Sequence, residues 1–102
     1  MIWKTKEGIL KYVGSWKNDM MDGLGTYFWP NEKIYYKGPF ISNKREGKEG
    51  YMSYGDGSFY FGDFKNDMRH GQGSFTFANN DRFEGNWIDD AKDGQGVYYC
   101  SD

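Results

Sequence analysis

The chain's single histidine, His70, stands directly before Gly71–Gln72–Gly73. An imidazole beside a glycine-rich loop is raw material for two chemistries: proton transfer by a general base, and phosphate binding by backbone N–H groups. The surrounding residues complete neither. Gly71–Thr76 lacks the third glycine of a dinucleotide fingerprint and the Gly-Lys-Ser/Thr of a phosphate loop. No serine has a nucleophile-elbow context, and Cys100 falls on a strand position. The acidic turns fail as calcium loops, since counting from Asp89 requires oxygen ligands at Ala91 and Cys100. In the first turn the same count lands on Met20 and Trp29. With one cysteine, neither an internal disulfide nor two zinc-ligand pairs can form. The expectation is a chain with no catalytic residue, metal or cofactor, in which His70 is dispensable.

Bulk composition narrows the partners. The 102 residues carry a formal net charge of −2, so no basic field draws in nucleic acid or an anionic bilayer. Apolar residues make up only 37%, yet aromatics reach 21% and there are 15 glycines, so a core must be built from rings. The N-terminal segment lacks the apolar stretch of a signal peptide and no run is as long as a membrane span. A soluble cytoplasmic protein is the expectation.

The elements that carry His70 repeat. Tyr12-Val-Gly-Ser-Trp16, Tyr36-Lys-Gly-Pro-Phe40, Tyr60-Phe-Gly-Asp-Phe64 and Phe83-Glu-Gly-Asn-Trp87 are each followed by a polar stretch and a glycine pair. Gly14, Gly38, Gly62 and Gly85 recur at spacings of 24, 24 and 23. An extra residue near Pro30–Lys33 and another within Gly47–Gly50 account for the longer spacings. The units are 12–35, 36–59, 60–82 and 83–102, the last incomplete, with 1–11 as the tail of a preceding unit. The whole reads as one domain and as part of a longer array or protein.

Within each unit, rings alternate with polar residues at period two, first before and then after the glycine pair, which predicts a strand, a turn and a strand. Gly23, Gly25, Gly47, Gly71, Gly73, Gly94 and Gly96 are expected to shape the turn, leaving His70 on a solvated reversal. The fold expected is all-β: a single-layer, elongated, twisted antiparallel array of hairpins. Alternation puts Tyr12, Trp16, Tyr36, Phe40, Tyr60, Phe64, Phe83 and Trp87 on one face of the first strands. Phe75 and Phe77 lie on the same face of the second strands. Each ring buries roughly 150–250 Å² when covered, so packing is one use of this face. A second use is a ring-lined groove for an amphipathic helix or extended peptide, because no second apolar layer is available to cover it. Open end strands invite self-association.

On these residues the chain resembles the MORN (membrane occupation and recognition nexus) repeat family. Its motif is close to Tyr-x-Gly-x-Trp/Phe, a polar turn and Gly-x-Gly at a 23-residue period. Units one, three and four match, at Tyr12/Gly14/Trp16/Gly23/Gly25, Tyr60/Gly62/Phe64/Gly71/Gly73 and Phe83/Gly85/Trp87/Gly94/Gly96. The second departs at its turn, where Glu49 stands at the second glycine position and Gly50 follows. The resemblance implies a non-catalytic protein-interaction scaffold or targeting element, associated with cytoskeleton, cilium or membrane. It leaves open phospholipid binding, and service as a regulatory segment of an enzyme such as a phosphoinositide kinase or SET-domain methyltransferase. A carbohydrate-binding hairpin array is a further alternative, against which the Tyr-x-Gly-x-Trp/Phe register stands.

Overall fold

Ring–polar alternation with recurrent glycine leaves strands as the only regular structure among the described residues. The computed structural model describes residues 2–5 and 8–101, with side chains from Lys11 onward. Of the tail proposed over 1–11, Met1, Lys6 and Glu7 lie outside the described residues, as does Asp102 of the last unit. The strands are β1 (Ile2–Thr5), β2 (Gly8–Lys17), β3 (Met20–Phe28), β4 (Ile34–Ile41), β5 (Lys44–Arg45), β6 (Gly47–Tyr54), β7 (Phe59–Lys65), β8 (Met68–Thr76), β9 (Arg82–Ile88) and β10 (Ala91–Tyr99). They form one antiparallel sheet in the order β1-β2-β3-β4-β6-β7-β8-β9-β10, with β5 paired to β4. β5 and β6 are the two halves of one bulged strand. The sheet does not close, and the molecule measures 41 × 24 × 18 Å.

Each hairpin reverses earlier than the glycines predict. The turns are Asn18-Asp19, Ser42-Asn43, Asn66-Asp67 and Asp89-Asp90, with both residues of each pair at positive φ between 47° and 69°. This is the type I′ geometry whose twist suits a two-residue hairpin, and Asn and Asp tolerate it through local side-chain bonding. Gly23, Gly25, Gly47, Gly71, Gly73, Gly94 and Gly96 therefore lie inside β3, β6, β8 and β10, and their assignment to the turn is corrected. His70 likewise sits in β8, half-buried, and not on a solvated reversal.

The glycines serve a bulge. In the third hairpin, Gly62 pairs with Gly73 and Phe64 with Arg69, so three residues of β8 face Asp63 alone. Gly71 takes φ +81° at this bulge, where a glycine avoids the steric cost of a Cβ. Gly73 is needed for a different reason. A Cβ there would fall within the Tyr60 ring, against its Oη, Cζ and Cε1. The ring that the glycine admits is the tyrosine of its own hairpin, lying flat over the glycine pair. Gly50, in the last strand of the second hairpin, pairs with Gly62 of the third, and Glu49 is taken up in the bulge at φ 62°. The insertion thus leaves the ring platform intact.

The tyrosine hydroxyl fixes the other end of this arrangement. Tyr12 Oη donates to Ser15 O at 2.8 Å, Tyr36 to Pro39 O at 2.8 Å and Tyr60 to Asp63 O at 2.9 Å. Each acceptor is the lone residue opposite the bulge. Phe83 occupies the fourth position without a hydroxyl, its Cζ over Gly85 and Gly96 as Tyr60 lies over Gly62 and Gly73. Tyr60→Phe is expected to cost about 1 kcal/mol, and Phe83→Tyr to add about 0.5–1.5 kcal/mol by bonding Asn86 O. Urea denaturation of the two variants checks both signs.

Candidate functional site

The rings of the first strands form one continuous edge-to-face chain across the sheet. Trp16 meets Tyr12 at 5.1 Å between centroids, Tyr12 meets Phe40 at 5.2 Å, and Phe40 meets Tyr36 at 5.0 Å. Phe64 then bridges Tyr36 and Tyr60 at 5.0 and 5.1 Å, and Trp87 bridges Tyr60 and Phe83 at 5.5 and 5.8 Å. The interplanar angles of 82–90° place ring edges on ring faces, the favourable quadrupole geometry. Tyr12, Tyr36, Phe40, Tyr60, Phe64 and Trp87 are buried, with Met21 and Met52. Trp16, Tyr27, Trp29, Tyr54, Phe75, Phe77 and Phe83 are half-buried and form the accessible rim. The ten ring positions expected on this face thus divide into a buried floor and a reachable edge.

A second row crosses the floor, and sequence reasoning missed it. Two residues after each turn stand Met21, Arg45, Arg69 and Lys92. The Arg45 guanidinium lies 5.5 Å from the Phe64 ring and 5.8 Å from Trp29. Arg69 lies 4.8 Å from Trp87 and 5.3 Å from Phe75, and Lys92 Nζ 4.7 Å from Phe83. These are cation–π distances.

The next hairpin's turn holds each of the first three in place. Met21 N–H donates to Asn43 Oδ1, Arg45 N–H to Asp67 Oδ1 and Arg69 N–H to Asp90 Oδ1, at 2.7–2.8 Å. In return Asn43, Asp67 and Asp90 donate their own N–H to the carbonyls of Met21, Arg45 and Arg69. Arg45 and Arg69 add ion pairs to the same carboxylates, at 3.4 and 3.2 Å. The available signal was the recurrence of a long side chain two residues past each turn, which the polar character of that stretch hid.

His70 stands at the matching position beside this clip, but its Nδ1 is buried without a hydrogen-bond partner among the described residues. Its equivalents Asp22 and Glu46 accept the N–H of Ser42 and Asn66, the first residues of the following turns. His70 Nδ1 lies 3.9 Å from Asp89 Oδ1, at the corresponding turn residue. Among the described residues no group of three or more His, Cys, Asp or Glu side chains could hold a metal. The geometry offers concave apolar surface and fixed cations, which suit binding.

A cavity of about 210 Å³ opens on this face, lined by Met21, Tyr27, Trp29, Phe40, Asn43, Arg45 and Asp67. The opposite face carries a ladder that was also missed, Phe28–Tyr35–Tyr51–Phe59, with centroids 5.8, 5.9 and 5.3 Å apart. The doublets Tyr27-Phe28, Tyr35-Tyr36 and Phe59-Tyr60 signal it, since adjacent strand residues point to opposite faces.

Burial raises the hydroxyl pKa of Tyr36 and Tyr60 well above the ordinary tyrosine value, outweighing the lowering influence of Arg45 and Arg69. The folded state thus holds its proton more tightly than the unfolded chain. Stability from this source is fully present below about pH 10 and is lost as pH climbs beyond it. Thermal melts from about pH 8 to pH 12, followed by tyrosinate absorbance, are expected to show one cooperative loss on the alkaline side.

The MORN repeat profile matches residues 12–33, 60–82 and 83–102. The chain is 33% identical over 105 residues to alsin of Rattus norvegicus and of Homo sapiens, covering 89% of this chain and 6% of alsin. It is 41% identical over 73 residues to MORN repeat-containing protein 3 of Xenopus laevis, covering 67% of this chain and 31% of that protein. It therefore spans a minor part of the length of either relative. The matched segments contain three of the four ring-x-Gly-x-ring strands and the bulged strands that follow them, and by this the chain belongs to the MORN repeat family.

Proposed function

We propose that the array is a non-catalytic protein-interaction scaffold that receives an amphipathic helix or extended segment along its ring face. The observation that carries this reading is the half-buried rim: Trp29, Tyr54 and Phe77 keep part of their ring area accessible beside the cations of Arg45, Arg69 and Lys92, and a cavity lined by Met21, Trp29 and Arg45 opens there. Rigid rings that keep apolar area accessible beside a fixed guanidinium are what interface hot spots use. The phospholipid reading has less support, because the net charge is −2 and both arginines of this face hold carboxylates. The relatives' greater length favours service as one segment of a larger protein.

Peptides selected from a displayed library of amphipathic and extended sequences test the reading. Binding is expected to shift the Trp29 indole and Met21 methyl resonances, and Trp29→Ala with Phe77→Ala to weaken it about tenfold or more. Circular dichroism confirms that the double variant folds. Undiminished binding by that folded variant, or shifts confined to the Phe28–Phe59 face, would overturn it.

A further inference from the structure

We propose that the face opposite the ring floor holds a groove for an extended basic segment of a partner protein, crossing the sheet at right angles to its strands. The inference stands apart from the ring-face reading, since the side chains it uses point the other way.

Alternation and register build the groove's walls. One row of side chains crosses six strands without a break. Thr26 pairs with Lys37, Lys37 with Tyr51, Tyr51 with Phe61, Phe61 with Ser74 and Ser74 with Glu84. Two residues along the strands stands a second row, which includes Leu24, Glu49, Asp63 and Gln72. Between the rows runs the glycine ladder, in which Gly25 pairs with Gly38, Gly50 with Gly62, Gly62 with Gly73 and Gly73 with Gly85. Tyr12, Tyr36 and Tyr60 lie over these glycines from the ring face. On the reverse face the glycine backbone floors a trough of two adjoining cavities, of about 460 and 470 Å³, that share Glu49 and Phe61. All six strands are interior to the sheet.

The dimensions select an extended occupant. Rows two residues apart along a strand stand about 6.8 Å from each other, too close to seat a helix about 10 Å across. Neighbouring strands lie about 4.8 Å apart, so six of them give a trough on the order of 24 Å, the reach of about seven extended residues.

The two halves of the trough differ in chemistry. Over β3, β4 and β6 it is lined by Leu24, which is 71% exposed, with Thr26, Lys37 and Tyr51. Over β7, β8 and β9, Phe61 is 46% exposed and shares the lining with Glu49, Asp63 and Glu84. Among the described residues no lysine or arginine lines this second half. Arg82 reaches Glu84 at 3.8 Å, but its guanidinium lies over Tyr99 at 4.3 Å and does not line the trough. Accessible apolar area beside three carboxylates fits a segment that brings a lysine or arginine to Phe61 and an apolar side chain to Leu24 and Tyr51. The cation then meets both opposite charge and an aromatic ring. An acidic segment would meet like charge there.

A synthetic peptide with blocked ends, Leu-Ser-Leu-Ser-Lys-Ser-Lys, titrated into the 102-residue chain and followed by NMR tests the proposal. Saturable shifts are expected in the Phe61 and Tyr51 ring and Leu24 methyl resonances, with Trp29 and Met21 unmoved. Glutamate in place of the peptide's lysines is expected to weaken binding about tenfold or more. The double variant Glu49→Lys, Glu84→Lys is expected to reverse that preference, which a folding defect would not do. Thermal melts confirm that the variant folds. Because the two faces report through different resonances, this proposal and the ring-face reading fail separately. Absence of saturable shifts, shifts confined to Trp29 and Met21, or a preference unmoved by the charge reversal would overturn the groove.

Discussion

Gly73→Ala is expected to remove about 3 kcal/mol or more of stability, while Gly94→Ala, in the same array, costs about 1 kcal/mol. The contrast follows from what each added methyl meets. At Gly73 it would occupy the space of the Tyr60 ring. That ring cannot retreat, being fully buried, edge-packed by Phe64 and Trp87 and tied through its hydroxyl to Asp63 O. Overpacking a rigid core typically costs 1–3 kcal/mol and more where neighbours cannot shift. At Gly94 nothing lies within 4 Å, and the only penalty is the backbone one of an alanine at φ +71°. A domain of this size holds roughly 5–15 kcal/mol in total. Each hairpin is stabilised by its neighbours, so Gly73→Ala is expected to loosen the third hairpin and unmoor the fourth. Urea melts by circular dichroism and by tryptophan fluorescence check this. If the two variants melt together, the ring-over-glycine account is wrong.

The alternation of rings and the fixed glycine spacing made the strands, the hairpin array and the ring face legible in the residues alone. The position of the reversal was not. Glycine pairs look like turns because glycine is the commonest way to reach positive φ, but here Asn and Asp take that conformation and the glycines make room for a tyrosine. Nothing local to Gly71–Gln72–Gly73 distinguishes these uses; the Tyr60 ring that decides the matter lies eleven or more residues away. The clip was hidden for a related reason. Asp67 and Arg45 are polar residues in polar stretches, and their bond joins successive hairpins at a separation of 22 residues. Only the register of neighbouring strands brings them together.

The separation of floor from rim was equally illegible, since alternation assigns a face and not a depth. Phe64 and Trp87 share the ring face with Trp29 and Phe77, yet the first two are 4% and 3% exposed and the others half-buried. The rings of the first strands lie midway along the sheet and are roofed by Arg45, Arg69 and one another. Trp29 and Phe77 stand where a strand gives way to its connection, with fewer neighbours to cover them. A double Phe64→Ala, Trp87→Ala variant therefore measures folding, and a binding defect in it carries no information about the groove.

Trp87→Ala alone is expected to cost about 3–5 kcal/mol, the range for deleting a large buried aromatic ring. The indole packs on Tyr60 and Phe83, lies under the Arg69 guanidinium and donates Nε1–H to Gly73 O at 3.1 Å. Its loss would open a void between the third and fourth hairpins and take the facing ring surface from a cation still tied to Asp90. Trp87→Phe is expected to cost only about 1–2 kcal/mol, because Phe40 and Phe64 hold the equivalent position in the second and third hairpins and a benzyl ring keeps the edge-to-face contact. The residual cost is the lost indole hydrogen bond and part of the cation–π overlap. Trp29→Ala, at the rim, is expected to cost less than Trp87→Phe while removing more ligand binding. Denaturant midpoints and peptide affinities measured on the same three variants would place each on two axes. Stability falling in the order Trp87→Ala, Trp87→Phe, Trp29→Ala, with binding lost first at Trp29, is the pattern of a floor that folds and a rim that binds; a rim variant that melts like Trp87→Ala would erase that division.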